Sequence, residues 1–250
     1  MKRQNAETDR AFRILDICNE LLNWILMIIL VVLFCYGTYG IGDSYMLEEN
    51  AMPEHYEIYR PTEEDYGDFD ELKAQNSDVC GWITIYGTHV DYPIVQSEDN
   101  STYLMRNPRG EYSLSGSIFM DYMNQKDFSD FNTIIYGHNM RNGSMFGTFR
   151  KLHEQSNLTS PYVWICTPKH TWRYKIFSVH TASVTGETYT LFSMADEQFA
   201  EYLKSMKSAS ELQLDAEADK DDKVITMSTC TGNSSTRFVI QAKRLEKGEN

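Results

Sequence analysis

The sequence predicts a mainly β domain, a barrel or a sandwich, that follows an apolar N-terminal segment. Short strand-like segments separated by turns recur between residues 80 and 245, whereas clear helical spacing occurs there once, at residues 193–212. Apolar residues make up 42% of the 250-residue chain, which includes 4 Trp, 16 Tyr and 12 Phe residues. This composition supports a sizeable core and excludes a disordered chain. The spacing of the strands does not distinguish a barrel from a sandwich.

The apolar N-terminal segment predicts a membrane anchor. Only Asn23 interrupts residues 21–36, and the segment 21–41 is long enough for a helix to cross a bilayer. Basic residues precede it and acidic residues follow it, so we expect residues 1–20 in the cytoplasm, residues 21–41 in the membrane and the chain from residue 42 onward outside. A cleaved signal peptide is disfavoured because the apolar run is long and "GIG" is a poor cleavage site. A helix inside a soluble core is a weaker alternative, given the charge asymmetry.

Residues 42–75 are predicted to form an acidic, partly helical extracellular stalk. Between residues 43 and 73 there are eleven Asp or Glu residues but only Arg60 and Lys73 as basic residues. We therefore expect this segment to be a solvated spacer. The formal net charge of the whole chain, −13, argues against nucleic acid as a partner.

The strand-like segments follow in order from residue 80. The first, residues 80–96, alternates in polarity and is broken by Gly87, which indicates a hairpin. The others are residues 116–121, 132–140, 162–168, 170–184, 224–230 and 237–245. The helix at 193–212 places Phe199, Leu203 and Met206 on one face, which we interpret as a packing face.

The five cysteines differ in their surroundings. Cys18 and Cys35 lie in or near the apolar N-terminal segment, and Cys80 and Cys166 lie in apolar runs where a buried free thiol is expected. No CxxC pair occurs, which argues against a zinc site. Only Cys230 ends an apolar strand and is followed by a small polar loop.

Cys230, Arg237 and His138 form a candidate catalytic set. A thiol becomes a useful nucleophile when a base or a cation favours the thiolate. If Cys230 ends one strand and Arg237 begins its antiparallel neighbour, the guanidinium is placed to stabilise an oxyanion. His138 ends an apolar strand and precedes a polar loop, whereas His180 lies within a strand, where a structural role is the default. Taken singly, His138 and Arg237 also have structural or solvent-facing interpretations.

Two other cysteine chemistries fit less well. A phosphatase loop needs His-Cys, five residues and Arg before a helix, but Thr229 precedes Cys230 and six residues separate it from Arg237. No papain-like Cys-Gly-Ser-Cys-Trp motif surrounds any cysteine.

Three stretches resemble the sortase family, class B in particular. "TMSTCTGNSSTRFVIQAKRL" is similar to the sortase cysteine and arginine strands, and "IIYGHNMRNGSMFGTFRKL" is similar to the class B histidine segment. "DVCGWITIYGTHVDYPIVQSEDNSTYL" fits the start of the same domain, so the resemblance runs from about Ser77 to Leu245. Two departures are Met227, where leucine is usual, and the lack of an acidic residue directly after Cys230.

The resemblance implies a closed eight-stranded β-barrel with peripheral helices, one of them inserted between strands 6 and 7, over residues 76–247. It implies a Gram-positive cysteine transpeptidase with the catalytic domain outside the membrane. Such enzymes cleave a C-terminal sorting motif of the NPQTN or PPKTG kind through a thioester. They then attach the surface protein to an amine of a peptidoglycan precursor or a pilin. No cofactor or metal is required.

The resemblance also assigns roles to residues. His138, Cys230 and Arg237 are the expected catalytic residues. Five residues match positions of the substrate groove: Asn100, Leu104, Ser228, Thr185 and Tyr189. For Leu104 and Tyr189, packing within the barrel is an equal alternative. An anchored adhesin or scaffold with a sortase-like barrel and no activity is the alternative function, and it would be expected to lack one of the three catalytic residues.

Overall fold

The computed structural model describes residues 2–61 and 68–246 of the chain, which comprises two compact units, residues 1–46 and 47–250. Helix α1 covers Lys2–Asn50, and an 18-residue window within its segment Phe12–Asn50 has a mean hydropathy of 2.3. Its large apolar side chains, among them Trp24 and Phe34, are exposed. The helix therefore has the length and composition of a membrane span.

Eight strands close into a barrel in the second unit, which confirms the predicted fold. They are β1 (Val79–Ile85), β2 (Asp91–Val95), β3 (Ile118–Met120), β4 (Asn132–Tyr136), β5 (Tyr162–Cys166), β6 (Thr171–Ser183), β7 (Val224–Cys230) and β8 (Thr236–Arg244). The order around the barrel is β1-β2-β3-β4-β7-β8-β6-β5. The pairs β2–β3 and β4–β7 are parallel and the other pairs are antiparallel.

In the part of the chain that the structure describes, three further α-helices lie outside the barrel: α2 (Asp68–Gln75), α3 (Phe149–Leu152) and α4 (Glu197–Ser208). Helix α4 is the predicted insertion between β6 and β7, although it is shorter than the expected 193–212. It begins where the Asp196 side chain accepts a hydrogen bond from the Phe199 amide at 3.0 Å. Its buried face includes Phe199, Leu203 and Met206, which confirms the predicted packing face.

Strand β7 is buried on both of its faces. Ile225 and Met227 belong to the main barrel core, whereas Val224 packs in a second cluster with Phe199 and Leu203 of α4. The sequence of β7 is therefore a continuous apolar and small-polar run and does not alternate, as expected for a covered strand.

Part of the acidic segment is buried, which differs from the expectation of a solvated spacer. Ala51, Tyr56, Phe69 and Leu72 are each at most 5% exposed and belong to the barrel core cluster. The Tyr92 hydroxyl donates to the Ala51 carbonyl at 2.9 Å. The prediction failed because the acidic residues dominate the composition of the segment and conceal its few apolar anchors.

The same segment contacts the loop that follows β4. Asn142 donates from Nδ2 to the Glu48 carbonyl at 2.9 Å, and the Met145 amide donates at 3.0 Å to the Tyr92 hydroxyl, the same hydroxyl that donates to Ala51. Residues 48–56 thus support the chain just beyond His138.

His180 is a buried histidine in β6, 3% exposed. Its Nδ1 bonds the Ser178 hydroxyl at 2.9 Å, while its Nε2 has no partner. Burial lowers the pKa of His180 from 6.5 to about 4. Between these values the unfolded chain binds a proton that the folded chain does not, so stability falls as the pH falls.

We expect removal of residues 1–46 to leave a folded, soluble domain, and removal of residues 1–60 to destabilise it. The longer deletion removes buried Ala51 and Tyr56, each of which stabilises the core. Burying one large side chain stabilises by about 1.5–3 kcal/mol, and each kcal/mol shifts the melting temperature of a domain of this size by about 2–4 °C, so the melting temperature should drop by at least about 3 °C. Thermal unfolding of both proteins tests this, and equal melting temperatures would contradict it.

Acidification should destabilise the domain through His180. The free energy of unfolding should be about 2 kcal/mol lower at pH 5 than at pH 7.5 from this group alone. Urea denaturation at both pH values measures the difference. His180→Gln should show a smaller pH dependence than the parent, whereas His170→Gln, at an exposed position, should not. An unchanged dependence in His180→Gln would refute the assignment.

Candidate active site

The register of three neighbouring strands brings the predicted catalytic residues together. In the antiparallel pair β7–β8, Cys230 lies directly opposite Arg237. In the parallel pair β4–β7, Tyr136 lies beside Ser228, and the Gly137 amide donates to the Ser228 carbonyl at 3.2 Å. His138 comes two residues after Tyr136, just as Cys230 comes two residues after Ser228, so the histidine reaches the level of the thiol.

These side chains line one cavity of about 230 Å³. The lining residues are Asn100, Leu104, Phe119, Tyr136, Gly137, His138, Ser228, Thr229, Cys230 and Arg237. All three predicted catalytic residues and three of the five predicted substrate-binding residues are therefore at one site. Tyr189 reaches it indirectly, because its hydroxyl bonds the Ser228 hydroxyl at 2.8 Å. Thr185 is exposed and bonds Ser183 instead.

Backbone carbonyls hold the side chains of His138 and Arg237 in place. His138 donates from Nε2 to the Leu104 carbonyl at 2.8 Å, which requires the proton on that nitrogen because a carbonyl only accepts. Arg237 donates from Nη1 to the carbonyls of Ser234 and Thr236, at 3.2 and 2.7 Å. The planar guanidinium retains further donors for a bound group.

Asn139 links the histidine segment to the cysteine. Its Nδ2 donates to the Cys230 carbonyl at 2.6 Å, so the residue next to His138 is bonded to the backbone of Cys230. This contact was not predicted, although the position of Asn139 directly after His138 is a signal that could have suggested it.

Gly116 allows the loop that carries Leu104 to approach His138 closely. Its φ is +60°, and a Cβ there would lie 2.8 Å from the Leu104 carbonyl and 2.9 Å from Cδ2 of His138. A larger residue would displace one of them, so glycine is required for the His138–Leu104 hydrogen bond.

An aromatic wall borders the cavity. The Tyr136 ring lies 5.3 Å from that of Phe119 and 6.4 Å from that of Tyr189, centroid to centroid. Burial and the nearby charge of Asp121 raise the pKa of Tyr136, so its hydroxyl stays protonated. Tyr136 and Phe119 were not identified from the sequence, because alternation within a strand predicts the face on which a side chain lies but not which cavity that face lines.

Comparisons with known proteins identify the family. The family model described as Sortase domain matches residues 83–245. The chain is 38% identical to sortase B of Listeria monocytogenes over 187 residues, 71% of this chain and 74% of that one. The chain belongs to the sortase family of cysteine transpeptidases. Within that family its similar relatives are sortase B proteins, which makes it a class B member.

Solved structures agree with this assignment. The sortase B of Bacillus anthracis matches with a TM-score of 0.72 and 31% identity over 82% of this chain and 99% of that one. A Staphylococcus aureus sortase B–substrate complex matches with a TM-score of 0.67 and 27% identity over 72% of this chain and 85% of that one.

We expect Cys230 to be the only rapidly labelled thiol in the domain that starts at residue 47. Cys230 is exposed, whereas Cys80 and Cys166 are buried, and burial raises the pKa of Cys80 to about 12 and also raises that of Cys166. A thiol-specific aromatic disulfide reagent at neutral pH should modify one thiol in the native domain and three thiols after denaturation. Cys230→Ala should abolish the rapid reaction, and rapid labelling of a second native thiol would contradict the burial pattern.

Proposed function

We propose that this chain is a membrane-anchored transpeptidase that cleaves a C-terminal sorting motif of exported proteins and transfers them to an amine. The observation that carries the proposal is the convergence of Cys230, His138 and Arg237 on one cavity. The motif is of the NPQTN or PPKTG kind that the family implies. The matching Staphylococcus aureus structure is a sortase B–substrate complex, which supports substrate binding by this fold.

The first half of the reaction forms a thioester. The Cys230 thiolate attacks the carbonyl carbon of the motif threonine, and the free donors of Arg237 stabilise the oxyanion that develops. The proton of the Cys230 thiol has passed to His138, which is therefore an imidazolium. The C–N bond then breaks, and the His138 imidazolium gives a proton to the leaving amine and becomes neutral. Because Nε2 of His138 donates to the Leu104 carbonyl, we expect the bound substrate to displace that bond and free the proton.

The second half transfers the acyl group. An incoming amine attacks the thioester, His138 accepts its proton, and the Cys230 thiolate is restored as the C–S bond breaks. The acceptor is an amine of a peptidoglycan precursor or of a pilin subunit. Electrons and protons balance without any cofactor.

The N-terminal helix is assigned as the anchor. Residues 1–20 lie in the cytoplasm, residues 21–41 cross the membrane and the barrel is outside, because basic residues precede the apolar segment and acidic residues follow it. The exposed apolar surface of α1 supports this assignment. The barrel would therefore bind its substrates at the outer face of the membrane.

Substitution of the three residues should separate their roles on one quenched sorting peptide. Cys230→Ala and His138→Ala should abolish cleavage. Arg237→Lys should retain the charge but lose about 10²–10³ in kcat, because lysine cannot bond both loop carbonyls and still hold an oxyanion. Steady-state rates and melting temperatures of each variant provide the measurement.

Arg150→Lys is the matched control, because Arg150 donates to the Arg141 carbonyl outside the cavity. Its rate should equal that of the parent. Substantial cleavage by Cys230→Ala would refute the assignment of Cys230 as the nucleophile. Full activity of Arg237→Ala would show that Arg237 has no role in the reaction.

A further inference from the structure

A buried carboxylate lies directly behind the cavity. Asp121 follows β3 and is 7% exposed, and it is not among the residues that line the cavity. Its Oδ2 accepts hydrogen bonds from Nδ2 of Asn100 at 2.7 Å and from the hydroxyl of Tyr136 at 3.0 Å. Asn100 and Tyr136 both line the cavity, so one carboxylate holds two of its polar side chains.

The turn that carries Asp121 is itself fixed. Oδ1 of Asp121 accepts from the Met123 amide at 2.9 Å, and buried Gln96 donates from Nε2 to the carbonyls of Asp121 and Asn124, each at 2.7 Å. The carboxylate is thereby held towards Asn100 and Tyr136.

A purely structural role does not explain why a charge occupies this position. Among the described residues, no Lys, Arg or His forms an ion pair with Asp121. Burying a carboxylate that has no cationic partner costs free energy, which its hydrogen bonds only offset. A neutral side chain that accepts hydrogen bonds would suffice if the residue had only to stabilise the turn.

The bonds to Asp121 determine which hydrogen-bonding atoms the cavity presents. Tyr136 has one hydroxyl proton and gives it to Asp121, so its oxygen is left as an acceptor. Asn100 uses one N–H towards Asp121, while its Oδ1 accepts from the Tyr122 amide at 3.1 Å. The orientation of the Asn100 amide is therefore set, and its second N–H remains as a donor.

We propose that Asp121 is a positioning residue that orients Asn100 and Tyr136 to recognise an amide group of the substrate. An amide accepts from the free N–H of Asn100 and donates to the oxygen of Tyr136. A carboxylate cannot donate, and the buried charge of Asp121 repels it. This proposal rests on the proposed function, since it assumes a sorting peptide in this cavity.

The test compares Asp121→Asn with Asp130→Asn. Asp130 is a matched control because its carboxylate accepts one side-chain bond and one backbone bond in the same turn, from Asn124 Nδ2 and the Gln125 amide, but no bond from a residue that lines the cavity. Affinity for an NPQTN-type peptide is measured by calorimetry with Cys230→Ala added, so that no turnover is needed. kcat and KM are measured with the cysteine present.

Asp121→Asn should weaken peptide affinity and raise KM by about tenfold or more, as expected for hydrogen bonds to a charged group, with kcat changed by less than about threefold. Asp130→Asn should match the parent. A further series of peptides replaces each amide side chain by a carboxylate, one position at a time. At one position, this replacement should weaken binding to the parent protein more than it weakens binding to Asp121→Asn.

Tyr136→Phe keeps the proposal testable if Asp121→Asn does not fold. This variant removes only the hydroxyl that Asp121 orients, and it should also lower the affinity for the peptide by about tenfold. In a folded double variant, the two effects should be less than additive.

Equal peptide affinity in the parent, Asp121→Asn and Tyr136→Phe would overturn this proposal while leaving the proposed function intact. Fully additive effects would also overturn it. Peptide binding that depends on Asp121, together with cleavage that does not depend on Cys230, would support the positioning role and refute the proposed chemistry. Failure of the parent to bind any NPQTN-type peptide would overturn both.

Discussion

The hydrogen-bond register of β7 is the constraint on which the site depends. This strand pairs with β4 on one side and β8 on the other, so it alone determines where the thiol stands relative to His138 and Arg237. A shift by one residue would turn Cys230 to the opposite face of the sheet. Because β7 is buried on both faces, such a shift would also exchange Ile225 and Met227 of the barrel core with small polar residues. The hydrophobic core therefore enforces the geometry of the site.

A buried polar cluster reinforces this register. Thr226 donates to Oδ1 of Asn132 at 2.7 Å and accepts from Nε2 of Gln241 at 2.9 Å, which links β7 to both of its neighbours. The Tyr202 hydroxyl of α4 accepts from Gln241 at 2.7 Å and from Asn132 at 3.1 Å. The observed pairing gives partners to the Thr226 and Tyr202 hydroxyls and to the side-chain N–H groups of Asn132 and Gln241, and buried polar groups without partners are costly. Oε1 of Gln241 is left without a partner among the described residues. The cluster thus adds specificity that apolar packing alone does not supply.

The sequence predicts much of this arrangement, and its failures have physical causes. The apolar run that ends at Cys230 and the strand that begins at Arg237 are adjacent in sequence, so local pattern predicts their pairing. His138 was selected as the histidine at a strand end, but local pattern could not show that it lies beside the thiol, because the parallel β4–β7 pair joins strands that are about ninety residues apart. Asp121 was not identified, since an acidic residue after a strand is ordinary in a turn and its partners lie at distant positions. The burial of Tyr56 was not predicted either, because the acidic residues around it made its segment look solvent-exposed.

The inserted helix connects the core to the rim of the cavity. Tyr202 of α4 donates to the Thr188 carbonyl at 2.9 Å, and Asn132 donates to the Thr190 carbonyl at 3.0 Å. These two bonds hold the short segment that contains Tyr189 against β4, so that Tyr189 stacks on Tyr136 and bonds Ser228. The helix that buries the outer face of β7 therefore also places an aromatic side chain beside the cavity. Packing and site geometry are coupled through it, since a change that loosens α4 would move Tyr189 as well as expose β7.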